Sequence, residues 1–283
     1  VDRCSQAEPS FELTAANAEA VAQLCRRMDG IPLAVELVAA RVRVLSPQQM
    51  LERLNDALAL MKDSGNPDGG RQRTMQAAID WSYQLLTPDE QNVFDVLSAC
   101  AGSFDLPAAE ALAGPLALDG LSALVDKSLV VTHLDPEGPM RYRVLEVLRQ
   151  YGLARMKAKG SFDAAQVAHA AYYLALAQRI DRESPSGDVV EWLPDFRRDE
   201  GNFRAALEWL QEHQPADALR LATALARYWQ SSGSVKEARS WLQSTLAAGS
   251  GDRQLLALAL YRSGLLAYFD NDYEAAIEQV ESS

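Results

Sequence analysis

The sequence predicts a mostly α-helical protein in three parts: a helical subdomain over residues 1–60, a domain with one small β-hairpin over 71–158, and stacked helical pairs over 163–283. Three observations support this fold class. Apolar residues recur at helical spacing through most of the 283 residues. Two β-type runs, at 128–132 and 140–144, flank a turn. Similar helical segments begin at residues 203, 235 and 273.

Composition and charge narrow the function classes. The chain is 48% hydrophobic and 23% charged, as in ordinary globular proteins. Its formal net charge of −12 argues against a large non-specific nucleic-acid footprint, which needs Lys and Arg to replace counterions. Three widely spaced cysteines predict reduced thiols and no metal site. Without a signal peptide or an 18-residue apolar run, the sequence predicts a cytoplasmic protein with no membrane partner.

Both ends of the sequence suggest a piece of a longer protein. The chain begins at Val1 without a methionine, and it stops at Ser283 within a helical pattern. We therefore expect further parts of the parent protein on either side.

The helical subdomain is organised around a glycine–proline corner. A helix with Leu24 and Met28 on its apolar face runs into Gly30, which ends a helix readily because it adopts the left-handed conformation without steric cost. Pro32 then begins the next helix, which we expect to be buried and to continue through Val44. A short third helix is predicted from the capping-box pattern at 46–49.

The middle domain follows a predicted linker at 62–70. A helix over 74–86 precedes a second capping box at 87–90 and the helix that it begins. Short helices at 107–113 and 120–127 come before the hairpin, and a helix over 145–157 follows it. Helices followed by a single β-hairpin predict a winged helix.

DNA reading by this winged helix is the weaker interpretation. The helix before the hairpin, 120–127, offers one lysine and one aspartate, whereas a helix in the major groove normally presents several Arg, Lys, Asn or Gln side chains. Direct DNA contact therefore stays an alternative.

The C-terminal third predicts tetratricopeptide-like repeats. The three similar segments begin 32 and 38 residues apart, which brackets the ~34-residue period of that repeat. The aromatic residues of this region suit packing between helix pairs. A second interpretation is a concave surface that binds an effector, with Arg227, Tyr228, Trp229 and Trp241 as its candidate residues.

The sequence carries no pattern for chemistry of its own. It has no G-x-x-x-x-G-K-[S/T] phosphate loop, and its three histidines are scattered without an acid–base partner pattern. We predict no catalytic residues and no cofactor held by this chain alone.

The block Gly30-Ile31-Pro32-Leu33-Ala34 resembles the GLPLA motif of NB-ARC-type signalling ATPases, the STAND class. The following 39–46 stretch is similar to the bacterial LuxR- and AfsR-type branch of large transcriptional regulators. Strings within 73–83, 124–130 and 141–151 resemble that family's winged-helix domain, and 200–207 resembles its sensor array. Taken alone, the first block would equally suit an ordinary helix–Gly–Pro–helix corner.

The resemblance implies a nucleotide switch. Gly30, Ile31, Pro32 and Leu33 would lie on the adenine side of an ATP or ADP pocket completed by an upstream nucleotide-binding domain of the same parent, which could be a slow ATPase. The winged helix would be a regulatory element packed on that domain. Leu145 stands where other branches carry a phosphate-sensing histidine, and since leucine cannot donate a hydrogen bond, we expect it in the core.

Three hypotheses follow from the sequence. The first is the regulatory and sensor portion of a STAND-type transcriptional regulator, which couples an effector protein or small molecule at the repeats to the nucleotide domain. The second is a passive protein–protein scaffold that joins a structural winged helix to repeats. The third is direct DNA binding through the wing.

Overall fold

A computed structural model describes residues 2–62, 70–134, 138–183, 189–249 and 251–283, with main chain only at 55–62, 70–73, 189–192 and 195. The predicted linker therefore lies mostly outside the described residues. Sixteen α-helices and three short strands occur in this part of the chain. The helices are α1 Asp2–Ala7, α2 Ala18–Arg27, α3 Pro32–Ala39, α4 Pro47–Lys62, α5 Gly70–Gln84, α6 Pro88–Leu97, α7 Leu106–Ala113, α8 Ala117–Asp126, α9 Glu146–Lys159, α10 Phe162–Glu183, α11 Val189–Arg198, α12 Glu200–His213, α13 Pro215–Ser232, α14 Val235–Ala247, α15 Arg253–Phe269 and α16 Tyr273–Glu281. The strands are β1 Ser103–Phe104, β2 Val131–Leu134 and β3 Met140–Arg143.

The chain divides into two compact units. The first holds residues 1–98 and 113–158, and the second holds residues 99–112 and 159–283. The predicted mostly α fold with one small hairpin and a helical solenoid is confirmed. The finer three-part division at 1–60, 71–158 and 163–283 stays a prediction.

The first unit begins with a helical bundle built on the glycine–proline corner. Helices α2, α3, α4 and α5 share one apolar core. Its buried members are Leu24, Met28, Ala34, Val38, Leu45, Met50, Leu51, Leu54, Ala78 and Trp81. The spacing of the apolar residues on each helix therefore selects the buried face, as the sequence predicts.

Two helices of this unit begin at the predicted capping boxes. At α4, the Gln49 backbone N–H donates to Ser46 Oγ and the Ser46 backbone N–H donates to Gln49 Oε1 at 3.0 Å. At α6, Glu90 and Thr87 exchange the same pair of hydrogen bonds. These bonds satisfy two N–H groups that a helix start otherwise leaves without partners.

The winged-helix part of the first unit contains α6, α8, the β2–β3 hairpin and α9. The hairpin is antiparallel, with Val131 opposite Arg143 and Leu134 opposite Met140. Helices α6 and α9 approach closely at Gly152, where an added Cβ would lie 2.6 Å from the Ser98 Cβ atom. Glycine at this position is therefore required by packing.

The second unit is a set of helical pairs. Helices α10, α12 and α13 pack together, and α13–α14 and α15–α16 form the following pairs. Gly233 and Asn271 adopt the left-handed conformation in the turns before α14 and α16. Arg204 on α12 binds Glu237 on α14 through two hydrogen bonds of 2.6 and 2.9 Å. Successive helical pairs are therefore joined by ionic contacts in addition to the apolar core that they share.

Four sequence expectations need correction, and the first is the start of β2, which lies at Val131 and not at residue 128. The helix after Pro32 ends at Ala39, and a 3₁₀ turn then leads Val44 into solvent with 82% of its surface exposed. The third helix is not short, since α4 runs for 16 residues. Leu145 is half-buried, and the core positions beside it belong to Val144 and Leu148.

One stretch of the described chain is long and apolar enough to be considered for a membrane span. Residues Leu106–Asp126 have a mean hydropathy of 1.3 over 18 residues. A 3₁₀ turn at Gly114–Leu116 divides this stretch into α7 and α8, which have 8 and 10 residues. Neither helix reaches the ~20 residues that cross a bilayer.

Candidate functional site

The glycine–proline corner comprises residues 29–33 between α2 and α3. Asp29 and Gly30 both have positive φ angles, 49° and 65°, and Pro32 is the first residue of α3, as predicted. The Ile31 N–H donates to Met28 O at 2.8 Å, which closes the turn. Ile31 and Leu33 are half-buried and Pro32 is exposed, so the corner presents an apolar surface beyond the bundle.

Hydrogen bonds from the corner and from the 3₁₀ turn after α3 connect this segment to helix α5. The Thr74 hydroxyl donates to the Asp29 carboxylate at 2.9 Å. Farther along, Arg41 donates from Nη2 to Ser82 O at 3.1 Å. Both α5 residues belong to the same unit as the corner, so a displacement of α3 would strain two polar contacts with α5.

Arg41 is the most unusual charge in this region. Arg41 is only 4% exposed. Burial lowers its pKa to about 10, although the negative charge of Glu90 acts in the opposite direction and raises it. Its Nε atom has no hydrogen-bond partner within the described part of the chain. Burial of a cation with one hydrogen bond among the described residues is energetically costly.

A small cavity lies between α1, α2, α3 and α4. It has a volume of about 170 Å³ and is lined by apolar side chains such as Val21, Leu24, Met28 and Val35, together with residues of α1. None of the corner residues 29–33 lines it. Ligand sites typically enclose about 300–1,000 Å³, so this cavity is smaller than a nucleotide site and is not formed by the corner.

The exposed face of α8 lacks the chemistry of a base-reading helix. Its exposed residues are Leu118, Asp119, Ser122 and Asp126. Lys127, at the end of the helix, forms a 2.5 Å ion pair with Glu90. Burial raises the pKa of Glu90, but the Lys127 and Thr87 hydrogen bonds outweigh it, so the pKa is lowered and the pair stays ionised. An acidic, apolar face does not match base edges or phosphates.

The four candidate effector residues occupy different environments. Tyr228 and Trp229 are 2% and 1% exposed, and the Tyr228 ring stacks on Phe196 at 5.3 Å between centroids. Trp241 is half-buried against the same core. Arg227 lines an open groove on the surface of the second unit. The structure therefore does not bring the four side chains together on one surface.

That groove, which we name the basic groove, has a volume of about 540 Å³. Helices α10, α13 and α15 form it, and its polar members include Asp181, Arg182, Arg227, Tyr261 and Arg262. Sequence reasoning identifies Arg227 but misses the others. These polar residues lie on three helices, with more than 30 positions between Arg182 and Arg227 and between Arg227 and Tyr261, so no local pattern connects them. Among the residues with described side chains, no group of three or more His, Cys, Asp or Glu could hold a metal ion.

Comparison with known proteins gives two findings. Residues 86–156 match the model of the winged helix-turn-helix domain. Proteins named "Putative HTH-type transcriptional regulator" from Mycobacterium bovis and Mycobacterium tuberculosis are 39% identical over 252 residues, which is 87% of this chain and 28% of theirs. An uncharacterised M. tuberculosis protein is 36% identical over 171 residues, 58% of this chain and 43% of its own length.

No solved structure matches the chain at a significant level. The chain spans little more than a quarter of the first two relatives, so their remaining length has no counterpart in it. The chain therefore contains a winged helix-turn-helix domain and is similar, over most of its length, to one part of longer mycobacterial proteins named as transcriptional regulators.

Proposed function

We propose that this chain is the regulatory and sensor portion of a bacterial STAND-type transcriptional regulator of the cytoplasm. Its helical subdomain would complete one side of an ATP or ADP pocket that belongs to a nucleotide-binding domain elsewhere in the parent protein. Its tetratricopeptide-like repeats would bind an effector. The observation that carries this proposal is the corner at 29–33, whose apolar outer surface is coupled to α5 through Asp29 and Arg41.

The coupling gives the proposed switch a physical route within the first unit. A nucleotide in contact with Ile31, Pro32 and Leu33 would favour one position of α3. Because α3 shares a core with α5, and Arg41 and Asp29 bond to α5, that preference would reach the helix that precedes the winged helix in the chain. A ligand shifts such an equilibrium only by its difference in affinity for the two states.

The proposal assigns the phosphate chemistry to the parent. The chain has no phosphate loop, and the 170 Å³ cavity between α1, α2, α3 and α4 is smaller than a nucleotide site and is not lined by residues 29–33. Any ATP hydrolysis would belong to the parent protein, and this chain supplies no catalytic residue to it.

The test uses the natural full-length protein loaded with a fluorescent ADP analogue. Leu33→Asp places a carboxylate on the corner surface, and we expect release of the analogue to be at least about tenfold faster, because a charge is desolvated against an apolar adenine. Val44→Asp is the matched control, since Val44 is exposed and lies outside the corner. Equal release rates for the two variants would contradict the proposal.

Direct DNA binding is the second candidate, and the match of residues 86–156 to the winged helix-turn-helix model favours it. The acidic and apolar exposed face of α8 argues against it. A gel-shift titration of the whole chain with mixed-sequence duplex at low salt separates the two. We expect no salt-dependent shift, whereas a shift that weakens steeply with added salt would establish phosphate contacts.

A further inference from the structure

Two cysteines of the first unit lie beside the same cavity. Cys4 on α1 and Cys25 on α2 both line the cavity of about 170 Å³ between α1, α2, α3 and α4. Both are free thiols, Cys4 half-buried and Cys25 exposed. Cys100, by contrast, is buried and does not line this cavity. The fold therefore brings two thiols from separate helices to one unfilled space.

The two thiols are close enough to interact and differ in access to solvent. Burial raises the pKa of the Cys4 thiol and the charge of a Cys25 thiolate adds to the rise, while the amino terminus acts in the opposite direction. The thiolate, and not the thiol, attacks an oxidant. Cys4 is therefore poorly suited to react first, whereas Cys25 is open to oxidants dissolved in the solvent.

Helix α1 can approach α2 at little cost in packing. None of its six residues is buried. It is held by an ion pair of 2.8 Å between the partly exposed side chains of Arg3 and Glu36, and by a hydrogen bond from Arg43 Nε to Ala7 O. Exposed ion pairs contribute little to stability. A disulfide needs the two Cα atoms within ~7 Å of each other, and the cavity supplies the space for that approach.

We propose that Cys4 and Cys25 are a modification site at which hydrogen peroxide forms a disulfide across this cavity. The Cys25 thiolate attacks one peroxide oxygen, the O–O bond breaks, and the products are a sulfenic acid on Cys25 and hydroxide. The Cys4 thiolate then attacks the Cys25 sulfur, the S–O bond breaks, and a second hydroxide leaves. The two hydroxides take up the two thiol protons. Two thiols are thus oxidised to one disulfide, and one peroxide is reduced to two waters.

The disulfide links α1 covalently to α2, the helix that leads into the corner at 29–33. Thiol–disulfide exchange with a reductant such as glutathione reverses the link, so the oxidation state of the pair can follow its surroundings. The site does not depend on the proposed nucleotide pocket, and either can fail without the other.

Peptide mapping of the purified chain after treatment with equimolar hydrogen peroxide tests the proposal. No lysine or arginine lies between Cys4 and Arg26, so one tryptic peptide, 4–26, carries both thiols. We expect the mass of this peptide to fall by about 2 Da, because disulfide formation removes two hydrogens. Further cleavage after Glu12 and Glu19 should release the segment between them and leave the two end fragments linked until a reductant is added.

Three variants assign the roles of the thiols. Cys4→Ser should stop the reaction at the sulfenic acid, and we expect dimedone labelling of Cys25 to be at least about tenfold greater than in the unsubstituted chain. Cys25→Ser should leave Cys4 reduced. Cys100→Ser is the matched control and should give the same linked peptide as the unsubstituted chain. Because α1 contributes no buried residue, Cys4→Ser leaves the core intact, and circular dichroism verifies folding.

A 4–26 peptide whose mass stays the same or rises would overturn the proposal, as would a disulfide between two chains or a linked peptide that contains Cys100. Equal dimedone labelling of Cys25 in Cys4→Ser and in the unsubstituted chain would show that Cys4 does not react with the sulfenic acid. These results do not bear on the nucleotide pocket, because the ADP-release experiment on the full-length protein has an independent readout.

Discussion

The buried side chain of Asn202 allows a direct test of what stabilises the second unit. Its side chain is fully buried in α12, where Oδ1 accepts from the Ala101 N–H at 2.8 Å and Nδ2 donates to Ser103 O at 2.8 Å. The His169 Nε2 atom lies 3.3 Å from the same Oδ1. One amide thus satisfies a donor and an acceptor of the 99–105 segment, which requires both halves of the asparagine side chain.

Asn202→Asp keeps the shape and replaces the donor with an oxygen that faces the Ser103 carbonyl. The lost bond and the unsatisfied carbonyl cost about 1–3 kcal/mol. Burial also raises the pKa of the new carboxyl group in the folded state. Each unit by which this pKa exceeds its unfolded value lowers the stability of the ionised variant by a further amount of about 1.4 kcal/mol. Since the folded pKa is raised, the variant is most stable at low pH and loses stability as the pH rises through that pKa. We expect a loss of about 2–4 kcal/mol near pH 8, and a loss smaller by about 1.4 kcal/mol near pH 3, below the unfolded pKa.

Urea unfolding of the chain at the two pH values measures this difference. Hydrogen exchange at the Ala101 amide, whose N–H bonds to Asn202, reports it locally. Asn92→Asp is the control, because Asn92 is an exposed asparagine within α6. A loss in Asn202→Asp that matches Asn92→Asp at both pH values would show that the buried amide does not have this role.

Two further predictions concern the first unit. Gly152→Ala should lower the free energy of unfolding by about 2 kcal/mol, because the new Cβ would lie 2.1 Å from Ser98 Oγ. Urea unfolding should show a smaller loss of stability when the same substitution is made together with Ser98→Gly. Gly251→Ala should cause no loss, because its Cβ would meet nothing within 4 Å. Lys127→Met should destabilise the chain by about 1–2 kcal/mol at neutral pH. The pKa of Glu90 is lowered in the folded state, so its ion pair stabilises above the unfolded pKa and is lost as pH falls. Unfolding curves of Lys127→Met and the unsubstituted chain should therefore converge as the pH falls through the lowered folded pKa of Glu90, and a constant difference would contradict this assignment.

Local backbone structure is predictable from the sequence where a single residue type determines the conformation. Gly30 with Pro32 predicts the corner, and the patterns at 46–49 and 87–90 predict two helix starts that the structure confirms. The β-type run at 128–132 predicts strand β2 three residues too early, because Ser128 adopts a left-handed conformation, at φ 58°, that serine seldom favours. Leu129 and Val130 are consequently buried in the turn before the strand.

Tertiary arrangements have no local signal. Nothing in the string around Asn202 shows that its amide bonds to residues 101 and 103, nearly a hundred positions earlier. The arginines of the basic groove likewise come from three separate helices. Composition suggests Tyr228 and Trp229 as effector contacts, but their position on the inner face of α13 buries them. Helical periodicity identifies a buried face only when the neighbouring helices are known.

Our main proposal is that this chain supplies one wall of a nucleotide pocket without a phosphate site of its own. Calorimetric titration of magnesium ATP and ADP into the chain and into the full-length natural protein is the decisive comparison. We expect binding by the full-length protein and no saturable heat with the chain alone. Micromolar affinity of the chain alone, or no affinity in the full-length protein, would be incompatible with a shared pocket.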